Sequence, residues 1–513
     1  MRRLALAAAV ALLGCTAAEQ PTPNVLIITI DTLRSDRLSA YGFAGHETPN
    51  IDRLADDGAL FENAFSDAPW TTPAMSSVMT GTYPTRHGFR STNANRLGQE
   101  QVTLAELLRA RGYATAAIVG SFPLDSIYQL DQGFDVYDDE FTLPIWKYPG
   151  LDPQHVESEF IEKPEAQSMF ALNKAVNDSR RSDAQVTDAA LAWLEDRPGQ
   201  PFFLWVHYFG PHTKPDWTIP EEKRYRRQNA QYDPDVRVVD RELGRLLERF
   251  DARPLRDRTL VVFHADHAES LGEQGYIGHG MLLNDATMRI PLVLRFPPRI
   301  PAGTRVDAQV RNVDILPTVL DVLALPIPDQ AAGASLLPLV EGGPEANRDD
   351  LPERVAYMET YYTAHAAFAP PVRTPDGEQY KLGRIHRAVR AGRFQLVRTE
   401  PHPLLDVSEP LWENAPPEAL EAARAEVLID PLDESNPPRD LSLEYPEVAA
   451  RLRALLDARL AEDRGSSVAL PVDPQTRLRL ESLGYGGATP DAGSTDPHGP
   501  EDSGPQAEPG SQP

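Results

Sequence analysis

One cysteine, Cys15, stands in 513 residues, so no disulfide can form within the chain. Positive charge is scarce too. Lys and Arg number 50 against 76 Asp and Glu, a formal net charge of −26. That balance argues against nucleic acid and anionic surfaces as partners and favours solubility. Residues 487–513 lack Leu, Ile, Val and every aromatic. They cannot bury enough apolar area to offset ordering entropy, so a disordered acidic tail is expected. No internal repeat is present. The apolar run from Leu4 to Leu13 is ten residues long, too short to span a bilayer as a stable helix. What remains is ample: hydrophobic residues make up 41% of the chain. The length suits one large domain and a smaller one. The 48 prolines mark many loops.

The short apolar run has a basic start, Arg2 and Arg3, and ends in Leu12-Leu13-Gly14-Cys15. That string resembles the lipobox of bacterial lipoproteins. It implies a signal peptide over 1–14, a lipidated Cys15 and a linker over 15–23. The expected location is the bacterial cell envelope, at the outer membrane or the periplasmic face, with Cys15 as the only membrane contact. Thr16 in place of Asp points towards the outer membrane.

Between the ends, strand and helix patterns alternate. NVLIITI, residues 24–30, is a β-branched apolar run of the kind that forms a strand buried on both faces. Further strands are predicted over 113–119, 201–206, 259–263 and 291–295. Helices are predicted over 103–111, with Thr103 and Glu106 as a capping box, and over 183–196, 236–250 and 314–323, the last capped by Asp314. This alternation implies an α/β fold with a mostly parallel central sheet between helices, over residues 24–345. Residues 346–486 read as a smaller C-terminal α+β subdomain. It holds a hairpin over 387–398 around Ala391-Gly392 and a helix over 443–460.

In open α/β sheets, ligands bind beyond the carboxyl ends of the strands. Asp31 follows the first strand, Asp266-His267 follows the strand ending at Phe263, and His207 ends the strand from Pro201. A carboxylate closing a buried strand needs a partner or a cation. Two such carboxylates and a histidine suit Mn, Zn or Ca without choosing among them. Strand-end aspartates also cap helices, and spacing alone leaves that reading open.

Longer strings carry more. NVLIITIDTLRSDRLSAYG, HETPNIDRLADDGALFENAF and PWTTPAMSSVMTGTYPTRHG resemble the N-terminal part of sulfatases in the alkaline-phosphatase superfamily. HADHAESLGEQGYIGHG resembles their second metal block, and FLWVHYFGPHTKP their histidine-bearing strand and loop. The resemblance covers roughly residues 24–460, with the motifs in the family's order. It implies an alkaline-phosphatase-like fold and a hydrolase of sulfuric or phosphoric esters with one divalent metal ion. Asp31, Asp266 and His267 match metal positions. Thr71, ten residues before Gly81, falls at the nucleophile, where it would also touch the metal. His279 and His212 match histidines placed to meet the ester or its leaving group, with His207 assisting. The implied substrate is a small-molecule, glycan or lipid ester.

The resemblance is incomplete in telling places. The family's nucleophile string is C-x-P-S-R, whose Cys or Ser is converted to formylglycine. Here it reads Thr71-Thr72-Pro73-Ala74-Met75. Threonine cannot become formylglycine, and Met75 replaces the Arg. No G-K-W-H string is present; VGSFPLDS stands near its place. Thr32 replaces a second metal Asp, and Gly210 stands where relatives often carry Asp, which argues against a second metal. Three readings follow: an ester hydrolase using Thr71 directly, a phosphodiester or phosphonate hydrolase or phospho-group transferase of the envelope, and an inactive binding protein on the same scaffold.

Overall fold

A computed structural model describes residues 22–90, 95–141, 179–195, 199–212, 221–252, 254–343, 352–362, 372–373, 379–380, 384–401, 421, 424–433, 435, 438–463, 468–469, 476 and 479. Cys15 and the tail over 487–513 lie outside them. Eight strands form the large sheet: β1 (Asn24–Ile30), β2 (Ala59–Phe65), β3 (Ala114–Ile118), β4 (Val136–Asp138), β5 (Phe202–Tyr208), β6 (Thr259–Ala265), β7 (Arg289–Arg295) and β8 (Thr304–Arg311). Their order is β8-β2-β7-β6-β1-β5-β3-β4. Only β7 runs antiparallel to its neighbours β2 and β6; the other pairings are parallel. The mostly parallel sheet is therefore as expected. β1 sits in its middle with all seven residues buried.

Helices cover both faces. They are α1 (Pro49–Asp56), α2 (Thr71–Thr80), α3 (Leu104–Arg109), α4 (Asp183–Glu195), α5 (Glu221–Asp251) and α6 (Ile315–Val322). α2 packs with α3 and α6, which lie on β3 and β6; α4 packs with α5 and lies on β3 and β5, while α1 joins α5 and β7. So α2, α3 and α6 share one face and α1, α4 and α5 the other. The Thr103–Glu106 capping box forms, with both reciprocal bonds present. The cap expected of Asp314 does not. Its side chain makes no capping bond to α6 and instead pairs with Arg311. An arginine three residues upstream outcompetes the helix amides for that carboxylate. α5 begins fifteen residues before its expected start at Val236 and runs through Pro234. A proline inside the pattern hid its first half.

The smaller sheet is antiparallel: β9 (Ala356–Tyr362), β10 (Arg384–Ala391), β11 (Phe394–Pro401) and β12 (Ala425–Ile429), in that order. Helix α7 (Pro446–Ala461) packs on β10 and β11. The expected hairpin and helix are both here. β9 also reaches the large domain, where the Glu359 N–H donates to the Asp67 carbonyl at 2.9 Å. Among the described residues no helix is long and apolar enough to cross a membrane.

α2 has no counterpart among the predicted helices. All ten of its residues are buried, so it shows no polar stripe. Its hydroxyls turn inward. Ser76, Ser77 and Thr80 each donate to the carbonyl four residues back. Gly81, at φ 66°, then ends the helix in the left-handed region.

Candidate active site

The carboxyl ends of β1, β5 and β6 lie side by side because the three strands are parallel neighbours. Asp31 leaves β1, Asp266 leaves β6, and His207 stands one residue before the end of β5. All three are fully buried. One ligand atom from each lies within 4.8 Å of the others. His207 Nε2 is 3.7 Å from Asp31 Oδ2. The sequence reading gave His207 a catalytic role; its position is beside the two carboxylates. His267 joins them, with Nε2 3.5 Å from Asp266 Oδ2 and 4.0 Å from Asp31 Oδ1.

Asp31 and Asp266 do not cap helices. Asp266 Oδ1 accepts the N–H groups of Thr32 and His267, at 3.2 and 2.8 Å, which fixes the turn. Asp266 Oδ2 is sealed from solvent and has no hydrogen-bond partner among the described residues. Asp31 is pushed well above the usual carboxylate range by burial, then by Asp266 and Glu269, while the neighbouring Thr71 hydroxyl pulls the other way. Two buried carboxylates facing each other, with both Asp31 oxygens and Asp266 Oδ2 lacking a hydrogen-bond partner among the described residues, are a site built for a cation. Thr32 holds the corner between them. It sits at φ 57°, unusual for a β-branched residue, with its hydroxyl on the Asp31 carbonyl and its own carbonyl accepting from the Tyr232 hydroxyl.

His207 and His267 are held in neutral form. His267 Nδ1 faces the Ala268 carbonyl at 3.1 Å, so Nδ1 carries the proton and Nε2 presents a lone pair to the site. Burial lowers the pKa of His267 and takes that of His207 to about 4. A neutral imidazole with its lone pair inward is the ligating form. Below the site a one-way chain fixes His264. Trp205 Nε1–H donates to Thr29 Oγ1 at 3.1 Å, Thr29 donates to His264 Nε2 at 3.0 Å, and His264 Nδ1–H donates to the Ala265 carbonyl.

Thr71 is the first residue of α2, so it stands where the helix dipole is positive. Its Oγ1 lies 3.3 Å from His267 Nε2. His279 and His212 complete a ring above it. Their centroids are 5.0 Å apart, and His279 is 4.6 Å from His267. His212 stacks on Phe209. The structure thus brings together every site residue picked out in the sequence: Asp31, Thr71, His207, His212, Asp266, His267 and His279.

Two residues escaped the sequence reading. Glu269, 1% exposed, lies 3.3 Å by Oε1 and 3.4 Å by Oε2 from His279 Nδ1 and orients that ring. Trp70 packs edge-on to His279 and donates to Thr360 Oγ1 of β9 at 3.0 Å. Trp70 also explains the second glycine of G-H-G: a Cβ on Gly280 would lie 2.2 Å from the indole. An acid two residues beyond the Asp-His pair was the available signal for Glu269. Trp70 gave none.

Asp67 braces α2 from below. Its Oδ1 accepts from Asn312 Nδ2 at 2.7 Å, with the Ser77 hydroxyl close by. Burial raises its pKa from 3.8 to about 7, aided by Glu359 and opposed by Ser77 and Asn312. A carboxyl titrating higher folded than unfolded holds its proton in the fold between the two values. That stability is fully present below 3.8 and is lost as pH rises through about 7. Asp67→Asn should therefore flatten the fall in melting temperature between about pH 5 and 8 and unfold at a higher temperature at the upper end. Thermal melts across that range check it; parallel profiles for the two proteins would remove the assignment.

Residues 23–325 match the Sulfatase family model. The chain belongs to the sulfatase family. Residues 272–409 also match the C-terminal model of N-sulphoglucosamine sulphohydrolase. This sulfatase is 30% identical over 423 residues to the ulvan-active sulfatase of Formosa agariphila, covering 77% of each chain. It is 24% identical over 530 residues to a delta 4,5-hexuronate-2-O-sulfatase of Bacteroides thetaiotaomicron, covering 93% of this chain and 96% of the other. Its fold matches a phosphonate monoester hydrolase of Silicibacter pomeroyi with a TM-score of 0.61 at 22% identity, over 86% and 96% of the two chains. As a family member it is a hydrolase of ester bonds.

Proposed function

We propose that this sulfatase hydrolyses a sulfuric or phosphoric ester with Thr71 itself as the nucleophile, beside one divalent ion. Asp31, Asp266 and His267 would hold the ion, with His207 as a further nitrogen donor and the Thr71 hydroxyl at its edge. The observation that carries this reading is the place of Thr71: the head of a buried helix, 3.3 Å from His267 Nε2. The fit rests on the orphaned Asp266 Oδ2 and on two inward-facing neutral imidazoles. Such an ion, Mn, Zn or Ca, would lower the proton affinity of a neighbouring hydroxyl and offset the ester's charge.

The residues divide the work. Thr71 Oγ1 would pass its proton to the neighbouring Asp31 carboxylate and form a bond to sulfur or phosphorus while the bond to the leaving oxygen breaks. His279, steadied by Glu269, or His212 behind it, gives that oxygen a proton. Water then attacks the threonine ester and restores the hydroxyl. Threonine has no aldehyde to collapse to, so this hydrolysis must be direct. Phosphorus is the easier centre for such a step. The likeness to a phosphonate monoester hydrolase favours that second reading within the same site.

The deciding assay sets aryl sulfate, phosphate monoester, phosphate diester and phosphonate monoester side by side, each with Mn²⁺, Zn²⁺ and Ca²⁺. Turnover of at least one ester, dependent on added metal after chelation, is expected. Undiminished activity in metal-free protein would sink the scheme. The natural ester is proposed to be a glycan, lipid or small-molecule ester met in the envelope, with the protein tethered through Cys15. Mass spectrometry of the native protein should find acylated Cys15 as its first residue; an unprocessed N-terminus would contradict the tether.

A further inference from the structure

The large domain and the C-terminal subdomain meet at the far end of α2, and they do not close completely there. Tyr83 and residues 329–332 on one side, and the end of α7 with residues 459 and 461–463 on the other, enclose a cavity of about 520 Å³. That size falls within the roughly 300 to 1,000 Å³ of ligand pockets, which favour such domain junctions. At about 1.5 Å per residue, the end of α2 lies about 15 Å from Thr71 at its head. The cavity shares no lining residue with the catalytic site.

Most charges around it are matched. Arg90 pairs with Asp463 and Arg459 with Glu462, and the Arg459 guanidinium lies over the Tyr83 ring, 4.6 Å from its centroid. Three polar side chains of the lining are not. Arg86 and Gln330, both half-buried, and Asp329, exposed, make no side-chain hydrogen bond or ion pair among the described residues. Arg86 and Asp329 therefore share one cavity without pairing with each other. In a chain of net charge −26, a half-buried guanidinium without a carboxylate is an anomaly that a ligand would resolve. The three groups define its chemistry. A guanidinium presents paired N–H donors to a carboxylate, a carboxylate accepts from hydroxyls, and a carboxamide does both. A hydrocarbon would satisfy none of them. A bare inorganic anion would leave Asp329 unmatched.

We propose that this cavity is a second binding site, for a sugar acid: a polyhydroxylated carboxylate whose carboxylate meets Arg86 and whose hydroxyls meet Asp329 and Gln330. It is separate from the ester-cleaving centre and does not depend on the role of Thr71.

Calorimetric titration of the metal-loaded protein with sodium glucuronate tests it, with glucose as the uncharged control. Glucuronate should bind with a Kd of about 10 mM or tighter, and glucose at least about tenfold more weakly. Arg86→Ala should weaken glucuronate binding by about tenfold or more, and Gln330→Ala by a few-fold. Arg86→Lys should keep part of the affinity, since the charge remains without the planar fork. Melting temperature and metal content should stay at the parent's values in all three. A carboxylate also ligates metal ions, so the titration is repeated after chelation and should give the same affinity. If Arg86→Ala does not fold, Gln330→Ala and Arg86→Lys decide. The assignment is overturned by no binding at about 50 mM, by glucose binding equally well, by binding that disappears with the metal, or by binding that Arg86→Ala leaves untouched.

Discussion

Thr71→Ala is expected to lower kcat by at least about a thousandfold while leaving metal content near that of the parent. In the proposed scheme this hydroxyl bonds covalently to sulfur or phosphorus. Its loss removes a step and not merely a contact. The proposed ligands Asp31, Asp266 and His267 do not depend on it. Asp266 is held by the N–H groups of Thr32 and His267, and His267 by the Ala268 carbonyl. Alanine also suits the first turn of a buried helix, so α2 should persist. Elemental analysis and steady-state kinetics on the same preparation read both halves. Activity within tenfold of the parent would remove Thr71 as nucleophile. Loss of metal together with activity would make it a ligand first.

The second large effect belongs to Asp31→Asn, and it has opposite signs with and without metal. Asparagine keeps the shape but removes one of two facing buried charges. Metal content should fall from about one ion per chain towards zero, and turnover with it. In chelator, however, the variant should melt several degrees above the parent at neutral pH, because the repulsion between Asp31 and Asp266 is gone. Added metal should raise the parent's melting temperature and leave the variant's unchanged. A variant less stable than the parent in chelator would mean that Asp31 serves the fold through contacts other than charge.

Much of this was legible in advance for identifiable reasons. β1 reads as a strand because all seven residues are buried, which demands an unbroken apolar run. Asp31 and Asp266 stood out because a carboxylate closing such a strand is anomalous. The helix carrying Thr71 was not legible as a helix. A segment enclosed on every side has no hydrophobic period, and TTPAMSSVMT looks like a polar loop until its hydroxyls are seen bonding back four residues. Asp314 misled for the converse reason. Its position suited a cap, but Arg311 took the carboxylate.

The sequence by itself determined the fold class, the family resemblance, the strand-end carboxylates and the threonine that rules out formylglycine, since each depends on residue type at a local position. Tertiary structure decided the rest. It put His207 beside the carboxylates, set the tautomer of His267 through one carbonyl, stood Glu269 behind His279, and placed Thr71 3.3 Å from His267. The relations that place His207 and Thr71 join segments far apart in the chain, and only the parallel register of β1, β5 and β6 and the packing of helices on the sheet bring them together.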